Sequence, residues 1–261
     1  MHFCLESPLK MKLPLSVVVI TKNEATRIAD CLASVAPLAS EIIVVDDFSQ
    51  DRTVEVARGF SATVVQRAME VEGKHRNFAY SLASQPWILS LDADERVTPE
   101  LASEIAGLLA DHPSANGYTI PRKNFLGQRW LRHGGLYPSA QLRLFKNGVF
   151  KYEEVEVHPR AFMQDPRGAL TQPMLHYTYR NVEDLVAKLN RQTTLEAKKW
   201  FKENRKIGLG KSLWRAVDRF FRGYIGKRGY KDGFAGFMVA LTGGLYQILS
   251  YAKFKEMKDG A

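Results

Sequence analysis

The chain has 261 residues, 45% hydrophobic and 25% charged, with four Trp, ten Tyr and fourteen Phe. That excludes an intrinsically disordered chain, because enough apolar surface is present to offset the entropy of ordering, and it allows one large domain of about 200 residues plus an appendage. A formal net charge of +9 implies an anionic partner, and two cysteines alone, Cys4 and Cys31, argue against a disulfide framework and for a reducing compartment.

Leu15–Ile20 reads as a fully buried strand. The apolar run is short and leads into Thr21-Lys22-Asn23-Glu24 rather than a small-residue cleavage site, so no secretory signal is expected and the bulk of the chain is expected in the cytoplasm. Ile28, Cys31, Leu32 and Val35 share one helical face. Ile42–Val45 is a second strand, followed by a helix around Thr53–Gly59, a third strand at Thr63–Val65, a helix across Lys74–Ala83 and a fourth strand at Trp87–Leu91. Thr98-Pro99-Glu100 opens a further helix with a capping hydroxyl, a first-turn proline and an early acid, and Leu101, Ile105, Leu108 and Leu109 form its buried face. After Gly117 the pattern turns β-rich, with Tyr118–Ile120, Gln141–Phe145 and Val155–His158 as strands of mixed-sheet character. Asn181 caps a long helix whose one side carries Val182, Leu185, Val186, Leu189 and Trp200, and a basic helical region follows, with twelve Lys or Arg between Glu196 and Lys231.

Four clusters carry chemistry. Thr21-Lys22-Asn23-Glu24 sits where the first strand ends, the place where open α/β sheets bind ligands. Asp46-Asp47, followed by Ser49, Gln50 and Asp51, ends the second strand, where acids suit the donor hydrogens of a base or ribose. Asp92-Ala93-Asp94 ends the fourth, and two carboxylates at i and i+2 in extended chain can both approach one hard divalent cation. Lys74-His75-Arg76-Asn77 offers cations to a diphosphate. Each has a local explanation as a turn, a helix cap or a solvated face when taken alone. Glu153, Glu154 and Glu156 with His158 add acids and an imidazole in the β-rich half, where a general base would act. No G-x-G-x-x-G follows the first strand and there is no Walker lysine loop, which argues against a dehydrogenase or a P-loop phosphotransferase, and the basic stretch holds no recognised nucleic-acid module, so nucleic acid is not an expected partner.

In order, SVVVITKNE, EIIVVDDFSQDRT, GKHRNFAY and LSLDADE resemble family 2 glycosyltransferases of the GT-A fold, over about Leu15 to Val97. GGLYPSAQLRLFKNG, VEVHPR, LHYTYRNVEDLVAKLN and GYKDGFAGFMVALTGG resemble more narrowly the bacterial lipopolysaccharide core β-glucosyltransferases and their relatives. The resemblance implies an α/β GT-A (nucleotide-diphospho-sugar transferase) fold with a Rossmann-like mixed sheet and a C-terminal helical appendage. It partitions the chain into a catalytic domain at 1–180, with a nucleotide-sugar half at about 13–97 and an acceptor half at about 98–180, and a basic amphipathic region at 181–261. It implies that Thr21, Lys22, Asn23, Glu24 and Asp46 or Asp47 contact the nucleoside, Arg76 the diphosphate side, Asp92 the ribose or metal, and Asp94 the metal, with His158 and His176 as further metal or phosphate contacts. The relatives usually carry an acid after the His of the VH pair, where this chain has Pro159, which leaves Glu154 as first choice for the base, then Glu153 and Glu156.

The expected activity is an inverting, Mg²⁺- or Mn²⁺-dependent transfer from a nucleotide-diphospho-sugar, a UDP-sugar first, to a cell-envelope glycan or glycolipid such as the lipopolysaccharide inner core. The expected place is the cytoplasm, peripherally on the inner membrane through an anionic lipid surface. Within the C-terminal region, 233–252 lacks charge; it reads as interfacial, with spanning and packing on the domain as the other readings. The alternative is a non-catalytic membrane- or polyanion-binding protein on an α/β scaffold.

Overall fold

The computed structural model describes residues 12–155 and 160–260. In chain order it contains β1 (Leu13–Thr21), α1 (Ile28–Val35), β2 (Ala39–Asp46), α2 (Thr53–Arg58), β3 (Thr63–Gln66), α3 (Glu72–Ser81), β4 (Trp87–Asp92), β5 (Glu95–Arg96) and α4 (Pro99–Ala110). Then come β6 (Gly117–Ile120), β7 (Arg122–Leu126), β8 (Arg129–Trp130), β9 (Gln141–Lys146), β10 (Phe150–Tyr152), β11 (Ala161–Met163), β12 (Arg167–Ala169) and β13 (Met174–Tyr179). Three helices close the chain: α5 (Val182–Lys202), α6 (Leu209–Phe221) and α7 (Gly233–Asp259). Two compact units emerge, the first from described residues within Met1–Pro121, Ala140–Val155 and Pro159–Leu175, the second from those within Arg122–Ser139 and His176–Ala261. Residues 122–139 thus group with the C-terminal helices, an association across some 40 residues of chain that a change of composition near residue 181 does not register.

The first unit is built on a seven-stranded mixed sheet in the order β12-β6-β9-β4-β1-β2-β3. β1 runs parallel to β2 and β4, and β2 to β3; β9 is antiparallel to β4 and β6. The central strands are apolar at consecutive positions because both sheet faces are covered. Val17, Val19, Leu89 and Leu91 pack with Ile28, Cys31, Leu32 and Val35 of α1 and Leu101, Ile105 and Leu109 of α4. The alternate residues Val18, Ile43, Val45 and Ile88 pack with Ala79 and Tyr80 of α3 and with Phe145 and Phe150. The expected cap of α4 is present, Thr98 accepting from Leu101 N–H at 3.2 Å, a contact worth about 1 kcal/mol. Register pairs Thr21 with Asp46 and Ile20 with Asp92, so the loops after β1, β2 and β4 leave the sheet side by side.

The second unit holds the β7–β8 hairpin, turned at Gly127 with φ +56°, and α5–α7. Asn181 caps α5 as expected, accepting from Asp184 N–H at 2.8 Å. The buried stripe of α5 is Leu185, Leu189, Thr193, Ala197 and Trp200, whereas Val182 and Val186, at helical spacing with it, are exposed in the first turns of the helix. Trp200 meets Phe254 of α7 edge-on, and Lys253 donates to the Asn190 carbonyl at 2.7 Å. Glycines set the closest approaches of α7: a Cβ on Gly236 would lie 1.9 Å from the Gly229 carbonyl, and one on Gly244 2.9 Å from that of Ala216 in α6. Apart from Ala240 and Phe254, the buried positions of α7 are small or polar (Gly236, Thr242, Gly244, Gln247 and Ser250), while Phe234 is 72% exposed. By length and composition, Gly229–Asp259 is the one described helical segment able to cross a membrane, and 33% of its most apolar window is buried.

Candidate functional site

The loops after β1 and β2 are knitted into one surface. Asp47 N–H donates to the Thr21 carbonyl at 2.9 Å, and Lys22 Nζ to Asp47 Oδ2 at 2.8 Å. Asn23 N–H donates to Ser49 Oγ and Gln50 N–H returns to Asn23 Oδ1, both at 2.8 Å. Glu24 N–H reaches Thr53 Oγ1 at 2.8 Å, and Ala25 N–H reaches Asp51 Oδ2 at 3.1 Å. Asn23 and Phe48 hold left-handed backbone, φ +55° and +49°; asparagine tolerates this through its local hydrogen bonding, whereas for Phe48 it costs on the order of 1–2 kcal/mol.

The two acids after β2 differ in role. Asp46 is fully buried and closes the turn, accepting from the Ser49 amide at 2.9 Å, the Ser49 hydroxyl and Gln66 Nε2 at 3.2 Å. Asp47 keeps an exposed edge and accepts from Met69 N–H at 3.0 Å as well as from Lys22. Burial would raise its pKa, but the bonds from Lys22 and Met69 override this and hold it below the usual value.

At the end of β4, Asp92 lies between two guanidiniums, Arg76 Nη2 on Oδ1 at 2.7 Å and Arg143 Nη2 on Oδ2 at 2.6 Å. The same Arg143 nitrogen binds Glu95 Oε1 at 2.7 Å, and Glu95 Oε2 accepts from Asp92 N–H at 3.0 Å. Glu72 holds Arg76 from the other side at 2.9 Å. Burial opposes the charge on Asp92, yet attraction to Arg143 and Arg76 holds its carboxyl far below the ordinary range; burial likewise opposes the charge on Arg143, which Asp92 and Glu95 more than offset. Asp94 Oδ2 lies 3.3 Å from Arg27 Nη1, and Arg27 Nε lies 3.6 Å from Glu24 Oε2. The Cys31 thiol points at the Asp92 carbonyl at 3.6 Å; burial and then Glu95, Asp94 and Asp92 push its pKa up.

Several buried polar atoms of the first unit find no protein partner: Thr21 Oγ1 at the end of β1, His75 Nδ1 and Arg76 Nη1 on α3, and Arg143 Nε on β9. Each costs about 1–3 kcal/mol if nothing meets it. Among the described residues no three His, Cys, Asp or Glu side chains form a metal cage. A hard cation shared with a diphosphate needs only one or two protein carboxylates, and Asp94, with Asp92 two residues before it, fits that requirement. Both oxygens of Asp92 are held by arginines, whereas Asp94 is met by Arg27 on Oδ2.

The acids expected to supply a base sit elsewhere. Glu154 accepts from Asn77 Nδ2 at 3.2 Å and lies 3.8 Å from Lys151, on the border of a cleft of about 510 Å³ that Arg67, Lys74 and Phe78 also line. It does not join the Asp92 cluster. Glu153 makes a two-point pair with Arg160, at 2.9 and 3.1 Å. Glu156 and His158, with the expected strand Val155–His158, lie at or beyond the edge of the described residues. His176 belongs to the second unit, with Nδ1 2.7 Å from Asn124 Oδ1. The sequence reading missed Arg143, Glu95 and Arg27; the signal for Arg143 was a cation between leucines in a strand pattern, Leu142-Arg143-Leu144, where a buried charge demands a partner.

The model of glycosyl transferase family 2 matches residues 16–166. An uncharacterised glycosyltransferase of Rickettsia felis is 28% identical over 93% of this chain and 89% of its own length. The lipopolysaccharide core biosynthesis glycosyltransferase LpsC of Rhizobium meliloti is 27% identical over 93% of this chain and 92% of its own length. The crystal structure of S. aureus TarS 1-349 superposes with a TM-score of 0.47 at 16% identity, covering 96% of this chain and 92% of that one.

Proposed function

The chain belongs to glycosyl transferase family 2, and from that premise we propose that it transfers a sugar, with inversion, from a nucleotide-diphospho-sugar, a UDP-sugar first, to a cell-envelope glycolipid acceptor of the lipopolysaccharide-core kind. The observation that carries the donor half is the convergence of Thr21, Asp47, Asp92 and Asp94 at the ends of three neighbouring strands, where the sheet order reverses about β1. The acceptor class rests on the resemblance to LpsC over nearly the whole chain.

In this reading Asp47, oriented by Lys22 and the Met69 amide, accepts from the nucleoside, and Thr21 Oγ1 donates to it. Asp92 is the anchor that fixes Arg76 and Arg143 beneath the diphosphate, and Asp94 with Asp92 would hold Mg²⁺ or Mn²⁺. When bound, the cation supplies Lewis-acid stabilisation to the leaving diphosphate. Glu154 is the base that takes the acceptor hydroxyl proton, with Glu153 and Glu156 as the other choices; Asn77 and Lys151 hold its carboxylate.

Peripheral attachment to an anionic bilayer is supported by α6. Leu209, Leu213, Trp214, Val217 and Phe221 recur at helical spacing and are all exposed, Trp214 by 67%, with Lys211 and Arg215 interleaved. An apolar stripe beside cations complements acidic headgroups over an acyl boundary. Phe234 at the start of α7, 72% exposed, adds one more apolar side chain to that exposed set.

The test is a screen of nucleotide-diphospho-sugars for thermal stabilisation and hydrolysis, with and without Mn²⁺. One donor should raise the melting temperature and be hydrolysed only with metal. Stabilisation by no donor would refute the proposal.

A further inference from the structure

The second unit contains a cavity of about 390 Å³ that the donor reading does not use. Its floor comes from the loop at His133, Gly134 and Leu136, and its walls from the end of α6 and the start of α7. Gly134 and Gly135 are in left-handed backbone, φ +69° and +80°, a conformation that admits glycine with little strain. Gly134 N–H binds the Lys227 carbonyl at 2.9 Å, and a Cβ on Gly135 would lie 2.7 Å from Lys227 Nζ, so the loop is shaped around that lysine.

The charge of the lining is one-sided. Arg219, Arg222, Lys227 and His133 line it, against Asp232 alone. Asp232 is buried and already committed, accepting from His133 N–H and facing His133 Nδ1, both at 2.7 Å. That pair fixes the imidazole and leaves Nε2 as the nitrogen open to a ligand. Arg222 is paired with Asp218, but Arg219 rests over the Tyr246 ring and Lys227 is in no ion pair among the described residues. Against these cations stand apolar and glycine walls, Val239, Ala240, Gly236 and Gly243, which leave room beside the charged rim.

We propose that this cavity binds an anionic group, a phosphate or carboxylate, carried by the glycan of the acceptor, with Lys227, Arg219 and His133 as its contacts. The proposal rests on the glycosyltransferase reading only for naming the acceptor as the bearer of the charge. Converging cations beside a carboxylate-fixed imidazole recognise such a group through short charge-assisted bonds.

Equilibrium dialysis of the whole chain against radiolabelled inorganic phosphate tests it. Wild type should bind one phosphate saturably, and Lys227→Ala and Arg219→Ala should each weaken that binding by about tenfold to a hundredfold. Lys227→Arg should retain it, and the exposed control Arg58→Ala should equal wild type. Absence of saturable binding, or binding unchanged in both Lys227→Ala and Arg219→Ala, would overturn the cavity as an anion site. Competition separates the two sources of phosphate. Displacement by glucose 6-phosphate and not by phosphatidylglycerol vesicles supports the acceptor glycan; displacement by phosphatidylglycerol vesicles alone makes the group a lipid headgroup and overturns the assignment. Donor hydrolysis by the wild type is measured separately, so loss of the transferase reading is distinguishable from loss of the site.

Discussion

Arg143 offers the sharpest perturbation of the first unit. It is 4% exposed and one of its nitrogens binds both Asp92, at 2.6 Å, and Glu95, at 2.7 Å, while Glu95 has no exposed surface. Replacing it with methionine keeps much of the volume and removes the cation. Asp92 then retains Arg76, while Glu95 loses the guanidinium bond on its Oε1 and still faces Asp92. Removing one partner from a buried ion pair costs about 3–5 kcal/mol, against a total stability of about 5–15 kcal/mol, so the folded-to-unfolded ratio should fall by roughly two to nearly four orders of magnitude. Urea unfolding followed by circular dichroism, with hydrogen exchange read on the peptide containing β4, measures the loss where it arises. Adding Glu95→Gln to Arg143→Met removes the negative charge that Arg143 had balanced and should return at least about 1 kcal/mol, a coupling visible in the double-mutant cycle. A loss below about 1 kcal/mol for Arg143→Met, with no rescue by Glu95→Gln, would refute the argument that this arginine neutralises both Asp92 and the buried Glu95.

Asp94→Ala should abolish transfer and metal-dependent donor hydrolysis, and Asp94→Asn, which keeps a side-chain oxygen toward the buried Arg27, should lose them equally with a smaller drop in the urea midpoint; turnover near normal in either would remove Asp94 as a metal ligand. Glu154→Gln should keep donor binding by thermal shift and lose about 10² or more in turnover, and full activity there with loss in Glu153→Gln or Glu156→Gln would move the base to a neighbour. His75 is buried, and burial first, then Arg67 and Arg76 against the opposing pull of Asp47, pushes its pKa below the ordinary 6.5. The folded state therefore binds fewer protons than the unfolded one, so this contribution is complete above about pH 6.5 and is lost as pH falls from there toward the lowered folded value. The wild-type stability curve should drop over that interval relative to His75→Phe, and parallel curves would refute it. Trp214→Asp on the exposed stripe of α6 should abolish flotation with phosphatidylglycerol vesicles without changing the melting temperature; unaltered flotation would count against α6 as the lipid contact.

The parallel strands β1, β2 and β4 were legible because the apolar runs Val17–Ile20, Ile42–Val45 and Ile88–Leu91 are satisfied between two covered faces, and the acids that follow, Asp46-Asp47 and Asp92-Ala93-Asp94, mark where the second and third of those runs end. What the acids do at those ends was not legible. The spacing of Asp92 and Asp94 treats them as equivalent, whereas the antiparallel pairing of β4 with β9, Leu89 opposite Leu144, brings Arg143 from 51 residues away onto Asp92 and leaves Asp94 with Arg27. Asp46 and Asp47 separate for the same reason: one turns back to Ser49 and Gln66, the other out to Lys22, and only chain tracing in space distinguishes them.

The C-terminal helices expose the complementary limit. A periodic apolar face normally marks what is buried, and in α5 that rule finds Leu185, Leu189 and Trp200 correctly. In α6 the same periodicity marks what is exposed, because its inner contacts are made by the small residues Ser212 and Ala216, the latter where Gly244 allows α7 to approach. Sequence periodicity thus gives the direction of an apolar stripe but not the medium it faces. The side that meets protein is marked by the glycines instead: Gly236 and Gly244 are required where backbones nearly touch, whereas Phe237 still packs on Phe220 and Tyr224 and only Phe234 among the large apolar residues of α7 is exposed.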